Sequence, residues 1–292
     1  MELELLASAF GLLECPRVDQ HDRLYFSDMV LGGIHRRSPG GRIETLIPAR
    51  KHIGGMAFNE GGGLVLCGEG GVFAWDESTG RTRDIVTHFE GKPLQFNDMT
   101  PDYQGSLYAG VFGFNPFEHP RPEVTPPGML FRIDPPGRLV PMWDGIVFSN
   151  GLGFSPDRKL LYHSDSGGDT VYVYDIAPDR SLKDRRPFGK VPNGMPDGLA
   201  VDVEGGVWVA AAYGGEVVRF RNDGTVDRQI KVPLTLVASV VFGGKDMQDL
   251  YIMTGDERYL AQEPDTVEPP ARARIFRTRS PIPGVSVPMA RF

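Results

Sequence analysis

Four side chains with oxygen donors recur at one point of a repeated pattern. They are Glu14 in "GLLECPRVD", Asn97 in "FNDMTPDYQGSLYAG", Asn150 in "SNGLGFSPDRKLLYHSDS" and Asp197 in "MPDGLAVDVEGGVWVAAAY". Aligned on that pattern, the equivalent positions are Glu14, Gly54, Asn97, Asn150, Asp197 and Ala238, with Ser239 one step later. Two carboxylates and two carboxamides brought together out of water are costly unless something satisfies them. A cation does so. Glu14, Asn150 and Asp197 supply hard oxygen ligands, and Asn97 joins directly or through a water. No Cys or His shares the position, so the set suits Ca²⁺, Mg²⁺ or Mn²⁺ better than a structural zinc, with oxygen-ligated Zn²⁺ as a further option. The alternative is a network in which these side chains bond each other and water.

One divalent ion with few protein ligands keeps open positions, polarises a carbonyl or phosphoryl oxygen and acidifies bound water. A carboxylate beside that water can serve as base. Asp197 is the candidate catalytic residue, as ligand and base, and the reaction class that follows is hydrolysis of an electrophilic, ester-like bond. Other chemistries lack their residues. There is no G-x-S-x-G elbow, no phosphate-binding G-x-x-x-x-G-K-[ST] loop and no H-E-x-x-H helix. The glycines of "NEGGGLV" and "YGGEVV" read as hairpin turns that need positive φ.

The elements that must position such a ring follow from the repeats. Six units each carry a short apolar run, a polar turn and alternating runs of aromatic and β-branched residues, the period-two pattern of half-buried strands. The apolar anchors Leu24, Leu64, Leu107, Leu160, Val207 and Leu250 recur at intervals of 40 to 53 residues. That interval, with four short strands per unit, predicts an all-β, six-bladed β-propeller with a central metal site. All of residues 1–292 form one domain in this reading. In a propeller the innermost strands line a channel, and the ring falls at one mouth of it. Two long insertions, 112–128 and 255–273, interrupt the spacing and are candidates for pocket walls or lids. The first carries Phe114 and His119, both candidate substrate contacts. His52, two residues before Gly54, is another histidine within reach of the ring.

Composition narrows the partners. Glycine (37) and proline (25) are abundant among 292 residues, as many short strands require. The net charge of −7 and the lack of a basic cluster argue against nucleic acid. No apolar run reaches the roughly 18 residues of a membrane span. The acidic N-terminus does not read as a signal peptide, and two cysteines make no disulfide framework, so both read as small buried hydrophobes. The expectation is a cytoplasmic protein acting on a small molecule, without nucleic acid or membrane, its oligomeric state left open.

At these residues the chain resembles the SMP-30/gluconolactonase/luciferin-regenerating-enzyme (regucalcin-like) family. "FNDMTPDYQGSLYAG" is similar to that family's P-N-D-x-x-x-D-x-x-G segment, and "MPDGLAVDVEGGVWVAAAYGGEVVRF" to its P-D-G-[ML]-x-x-D segment; further matches run over nearly the whole chain. The resemblance implies a six-bladed propeller of metal-dependent hydrolases, often of sugar lactones. It implies that Glu14, Asn150 and Asp197 bind the metal and that Asn97 faces the substrate. Where sugar-lactone members commonly carry an Arg two residues before that Asn, this chain has Gln95, which keeps hydrogen bonding but loses the charge and the guanidinium fork. With the Phe-rich insertion, this favours a different or more apolar lactone or ester over gluconolactone. Two further readings of the scaffold are a phosphotriester-type hydrolase and a non-catalytic, ligand-binding propeller with a structural ion.

Overall fold

A computed structural model of the chain describes residues 1–114, 123–261 and 267–292. The described strands form six four-stranded antiparallel sheets and one small hairpin, His88–Phe89 with Lys92–Pro93. Each sheet is one blade. The innermost strands are Leu13–Val18, Ile53–Phe58, Phe96–Pro101, Ser149–Phe154, Met195–Val201 and Val237–Gly243. The apolar anchors do one common job. Leu24, Leu64, Leu107, Leu160 and Val207 each open the second strand of a blade, and Leu250 lies one residue inside its own. All but Leu160 are fully buried.

Period-two alternation packs each blade against the next. Val207, Val209 and Ala211 of the fifth blade join Tyr162, Val171 and Val173 of the fourth in one apolar cluster. On its other face Trp208 meets Phe242 of the sixth blade edge to face, with centroids 5.8 Å apart. The turn glycines behave as the sequence requires: Gly62, Gly63 and Gly215 adopt φ of 96°, 75° and 64°. A Cβ at Gly63 would also lie 2.0 Å from the Trp75 carbonyl oxygen, so this hairpin admits no other residue.

The ring closes through the start of the chain. Glu4–Phe10 pairs with Ala273–Arg279 and supplies the outermost strand of the sixth blade. A tail then crosses the face opposite the ring. It bridges Asp202 through Gly284 and Asn59 through Ala290, and Asn59 exchanges hydrogen bonds with Phe292 at 2.6 and 2.9 Å. Both insertions lie between the second and third strands of their blades, 112–127 in the third and 255–272 in the sixth. The second holds a one-turn helix, Arg258–Ala261. Among the described residues no helix is long and apolar enough to cross a membrane.

Candidate functional site

All six aligned positions lie in the second or third place of an inner strand, at the same end of the propeller. At each of them the ladder slips. Register shifts fall between Glu14 and Arg17, Ile53 and Gly55, Phe96 and Met99, Ser149 and Leu152, Pro196 and Leu199, and Val237 and Ser239. A bulge leaves its residue out of the pairing and re-aims its side chain. This is how Asn97, Asn150 and Asp197 leave the alternation and face the channel, whereas Glu14 still pairs with Ser27 and the slip begins after it.

Side chains from the neighbouring blade satisfy the backbone at these slips. Ser27 of the first blade donates to the Ile53 carbonyl at 2.7 Å. Asn97 of the third donates to the Ser149 carbonyl at 2.8 Å. Ser166 of the fourth donates to the Pro196 carbonyl at 2.6 Å. Each of those carbonyls sits one residue before a ring position. The same bonds set the carboxamides. Asn97 Nδ2 also donates to Asn150 Oδ1 at 2.5 Å, and Asn150 Nδ2 donates to Ser166 Oγ at 2.8 Å. Gly54 is part of this arrangement: a Cβ there would lie 2.5 Å from Asn97 Oδ1.

The acidic members are poorly satisfied. Asp197 is buried, and its Oδ1 has no hydrogen-bond partner. Burial, with Asp98 nearby, raises its carboxyl well above the usual range. Glu14 is raised well above its usual range by burial, then by Asp197 and Asp98. Asp98 is pushed up to about 6 by burial, against the pull of Arg17. The Arg17 guanidinium spans the channel from the Pro16 carbonyl at 2.7 Å to the Met99 carbonyl at 2.9 Å. With all groups ionised, Glu14, Asp98 and Asp197 against Arg17 leave two uncompensated negative charges. That balance, the orphaned Asp197 oxygen and the fixed Asn150 carboxamide fit a divalent cation on oxygen ligands. Among the described residues no three His, Cys, Asp or Glu side chains form a cage by themselves, so the set depends on the carboxamide.

Above the ring lies a cavity of about 390 Å³, within the usual range for small-molecule sites. Glu14, Asn97, Asn150 and Asp197 all line it. Phe114 lines it as well. Gln95 does not: its Oε1 is buried without a partner, and its backbone carbonyl is bonded by Phe112 N–H at 2.8 Å. His119 lies outside the described residues. His52 pairs with Glu69 at 2.7 Å and is not part of the lining. Both cysteines are buried, and burial pushes the Cys15 thiol up to about 12.

Asp98 escaped the sequence reading, although "FND" holds it beside Asn97. In a regular strand its side chain would point opposite to that of Asn97. The slip from Phe96 to Met99 removes both from the ladder. The sequence marks the 112–128 insertion with Phe114 as pocket wall, but not the walls at Leu12 and at Val147 and Phe148. Buried carboxylates hold them: Asp165 accepts from Val147 and Phe148 N–H at 3.1 and 2.8 Å, and Asp28 accepts from Gly11 and Leu12 N–H at 2.8 and 3.2 Å.

A propeller with an acid-and-amide ring beneath a cavity of this size defines the class, and the comparisons narrow it. Residues 12–256 match the family model described as an SMP-30/Gluconolactonase/LRE-like region, and the chain belongs to that family. It is 31% identical over 281 residues to 6-deoxy-6-sulfogluconolactonase of Pseudomonas putida, covering 94% of each chain. It is 31% identical over 264 residues to pentonolactonase XacC of Haloferax volcanii, covering 87% of this chain and 86% of that one. Its fold superposes with a TM-score of 0.84 and 20% identity on the crystal structure of a calcium-binding protein, regucalcin, from Agrobacterium tumefaciens. That likeness covers 99% of this chain and 97% of the other.

Proposed function

We propose that this protein is a metal-dependent hydrolase of small-molecule lactones. One observation carries the reading. Glu14 and Asp197 converge beneath a substrate-sized cavity with an unpartnered carboxylate oxygen beside a fixed carboxamide. The names of two family relatives, a sulfogluconolactonase and a pentonolactonase, support the same bond type. Glu14, Asn150 and Asp197 would hold one divalent ion, Ca²⁺, Mg²⁺, Mn²⁺ or Zn²⁺, which when bound polarises the carbonyl and acidifies water.

The chain's own residues do the rest. Asn97, its amide hydrogens committed to Ser149 and Asn150, has only Oδ1 left to offer, an acceptor that holds the attacking water beside the lactone. The Asp197 carboxylate oxygen left free of the ion takes the proton of the attacking water as the water oxygen bonds to the carbonyl carbon. The ring C–O bond then breaks, and the same oxygen returns the proton to the leaving alkoxide, giving the open hydroxy acid. Burial, which raises the basicity of Asp197, suits it to that exchange. Phe114 packs against the rest of the substrate.

The test is a lactone panel, followed by pH indicator, on metal-stripped protein with each of the four ions restored in turn and Asp197→Ala as control. Turnover that needs an ion and vanishes in the variant is expected. An ion that raises Tm while no lactone turns over would overturn the reading in favour of a ligand-binding propeller with a structural ion.

A further inference from the structure

Resting on the lactonase reading, we infer that the site selects a neutral lactone bearing an apolar alkyl or aryl substituent, and disfavours polyhydroxylated and anionic lactones. Three aromatic rings carry the inference. Phe112 stands 4.5 Å from Phe148 and 6.2 Å from Phe114, and Phe114 stands 6.4 Å from Phe148, centroid to centroid. They form one flank of the cavity. Leu12, Met29, Leu236 and Leu260 line it from other blades. Among the described lining residues none is Arg, Lys or His, so none of those side chains offers a cation to a sulfonate, phosphate or carboxylate on the substrate.

Hydroxyl groups fare little better. Above the ring the described polar lining is Ser166, Thr125 and Tyr213. Ser166 Oγ already donates to Pro196 and accepts from Asn150. A sugar lactone would bring several hydroxyls against apolar carbon, and each unmatched one loses its hydrogen bonds to water without return. An alkyl or aryl group loses none and gains burial.

The flank is also preorganised. Asp165, itself buried, fixes the Val147–Phe148 backbone through two N–H bonds and takes a third from Gly168 at 3.2 Å. Asp256 does the same on the far side. It accepts from Arg258 and Arg272 N–H at 3.2 and 2.9 Å and so anchors the turn that carries Leu260. Walls held this way do not need to be ordered by the substrate.

The experiment measures kcat/KM on ion-restored protein for γ-lactones of increasing alkyl length, for an aryl lactone, for glucono-δ-lactone and for a sulfonated gluconolactone. Phe148→Ala and Phe114→Ala are run beside the wild type. The expected result is a rise of about fourfold per methylene until the cavity is full, with the polyol and sulfonate at least tenfold below the best alkyl lactone. In both variants the loss grows with chain length. A flat chain-length series, or preference for the polyol or sulfonate, overturns the inference while leaving the hydrolase intact. Should no lactone turn over with any ion, the hydrolase reading fails, and thermal shift with non-hydrolysable γ-lactams of the same chain lengths decides this one. A shift that grows with length upholds the apolar site, and a shift independent of length overturns it.

Discussion

Asn97 Nδ2 lies 2.5 Å from Asn150 Oδ1 and 2.8 Å from the Ser149 carbonyl, so one amide group ties the third blade to the fourth. Replacing Asn97 with Asp turns this donor into an acceptor facing two acceptors. The expected cost is about 1–3 kcal/mol of stability, and lactone kcat/KM should fall about a hundredfold because the residue 97 side chain at the cavity loses its anchor. Urea unfolding and the lactone assay measure the two effects. A variant of wild-type stability would show that the inter-blade amide bond contributes nothing.

Gly54 is the ring position with no side chain, and a Cβ there would lie 2.5 Å from Asn97 Oδ1 and 2.6 Å from the Asn97 carbonyl oxygen. Gly54→Ala should cost about 1–3 kcal/mol through overpacking and should displace Asn97, so activity falls although no functional group has been removed. Unchanged kcat/KM would mean that Asn97 can shift without consequence.

His163 is fully buried, with its imidazole bonded to Ser149 Oγ at 2.8 Å. Burial lowers its pKa from 6.5 to about 4, only partly offset by Asp165. Between those values the folded state binds fewer protons than the unfolded state, so stability falls as pH drops through the window. The part tied to this group is fully present above about pH 6.5, amounts to about 3 kcal/mol and is gone below about pH 4. Urea unfolding from pH 7.5 to 4.5 should show the slope, and His163→Gln should flatten it. An equal slope in the variant would assign the pH response to other groups.

Asp98 adds a third carboxylate beside Glu14 and Asp197, and Arg17 offsets only one of the three. Asp98→Asn should weaken divalent-ion affinity at least tenfold, since two unit charges about 4 Å apart at an effective dielectric of about 20 interact by about 4 kcal/mol. Calorimetric titration of metal-stripped protein reads this directly. Equal affinity in both proteins would show that Arg17 has already neutralised Asp98.

Ion removal offers a separate check. At free ion one hundred times above Kd, binding should stabilise the fold by about 2.7 kcal/mol, and chelation should lower Tm accordingly. Asp197→Asn should abolish most of that gain by removing one of the ligand charges. A Tm indifferent to every ion would remove the cation from the ring.

The blades and the ring were legible because both rest on periodicity. Anchors such as Leu107, Leu160 and Val207 repeat, and Asn97, Asn150 and Asp197 stand ten residues before them. What could not be read depends on departures from period two. Asp98 reaches the channel only because the ladder slips between Phe96 and Met99. Gln95, two residues from Asn97, would share its face in a regular strand; it precedes the slip, and its side-chain oxygen is buried away from the cavity. Phe148 belongs to a turn whose place is set by Asp165, 17 residues later in the chain. No local pattern encodes that bond.

The pairing of Glu4–Phe10 with Ala273–Arg279 also orders events during synthesis. The first strand emerges from the ribosome with no partner and waits until residue 279 has been made. Five blades can form in sequence behind it, but the circle stays open until Ala273–Arg279 has been made, with unpaired edges and the facing sides of the first and sixth blades exposed. A pause or truncation late in the message would therefore leave an open arc able to capture the waiting strand of another nascent chain.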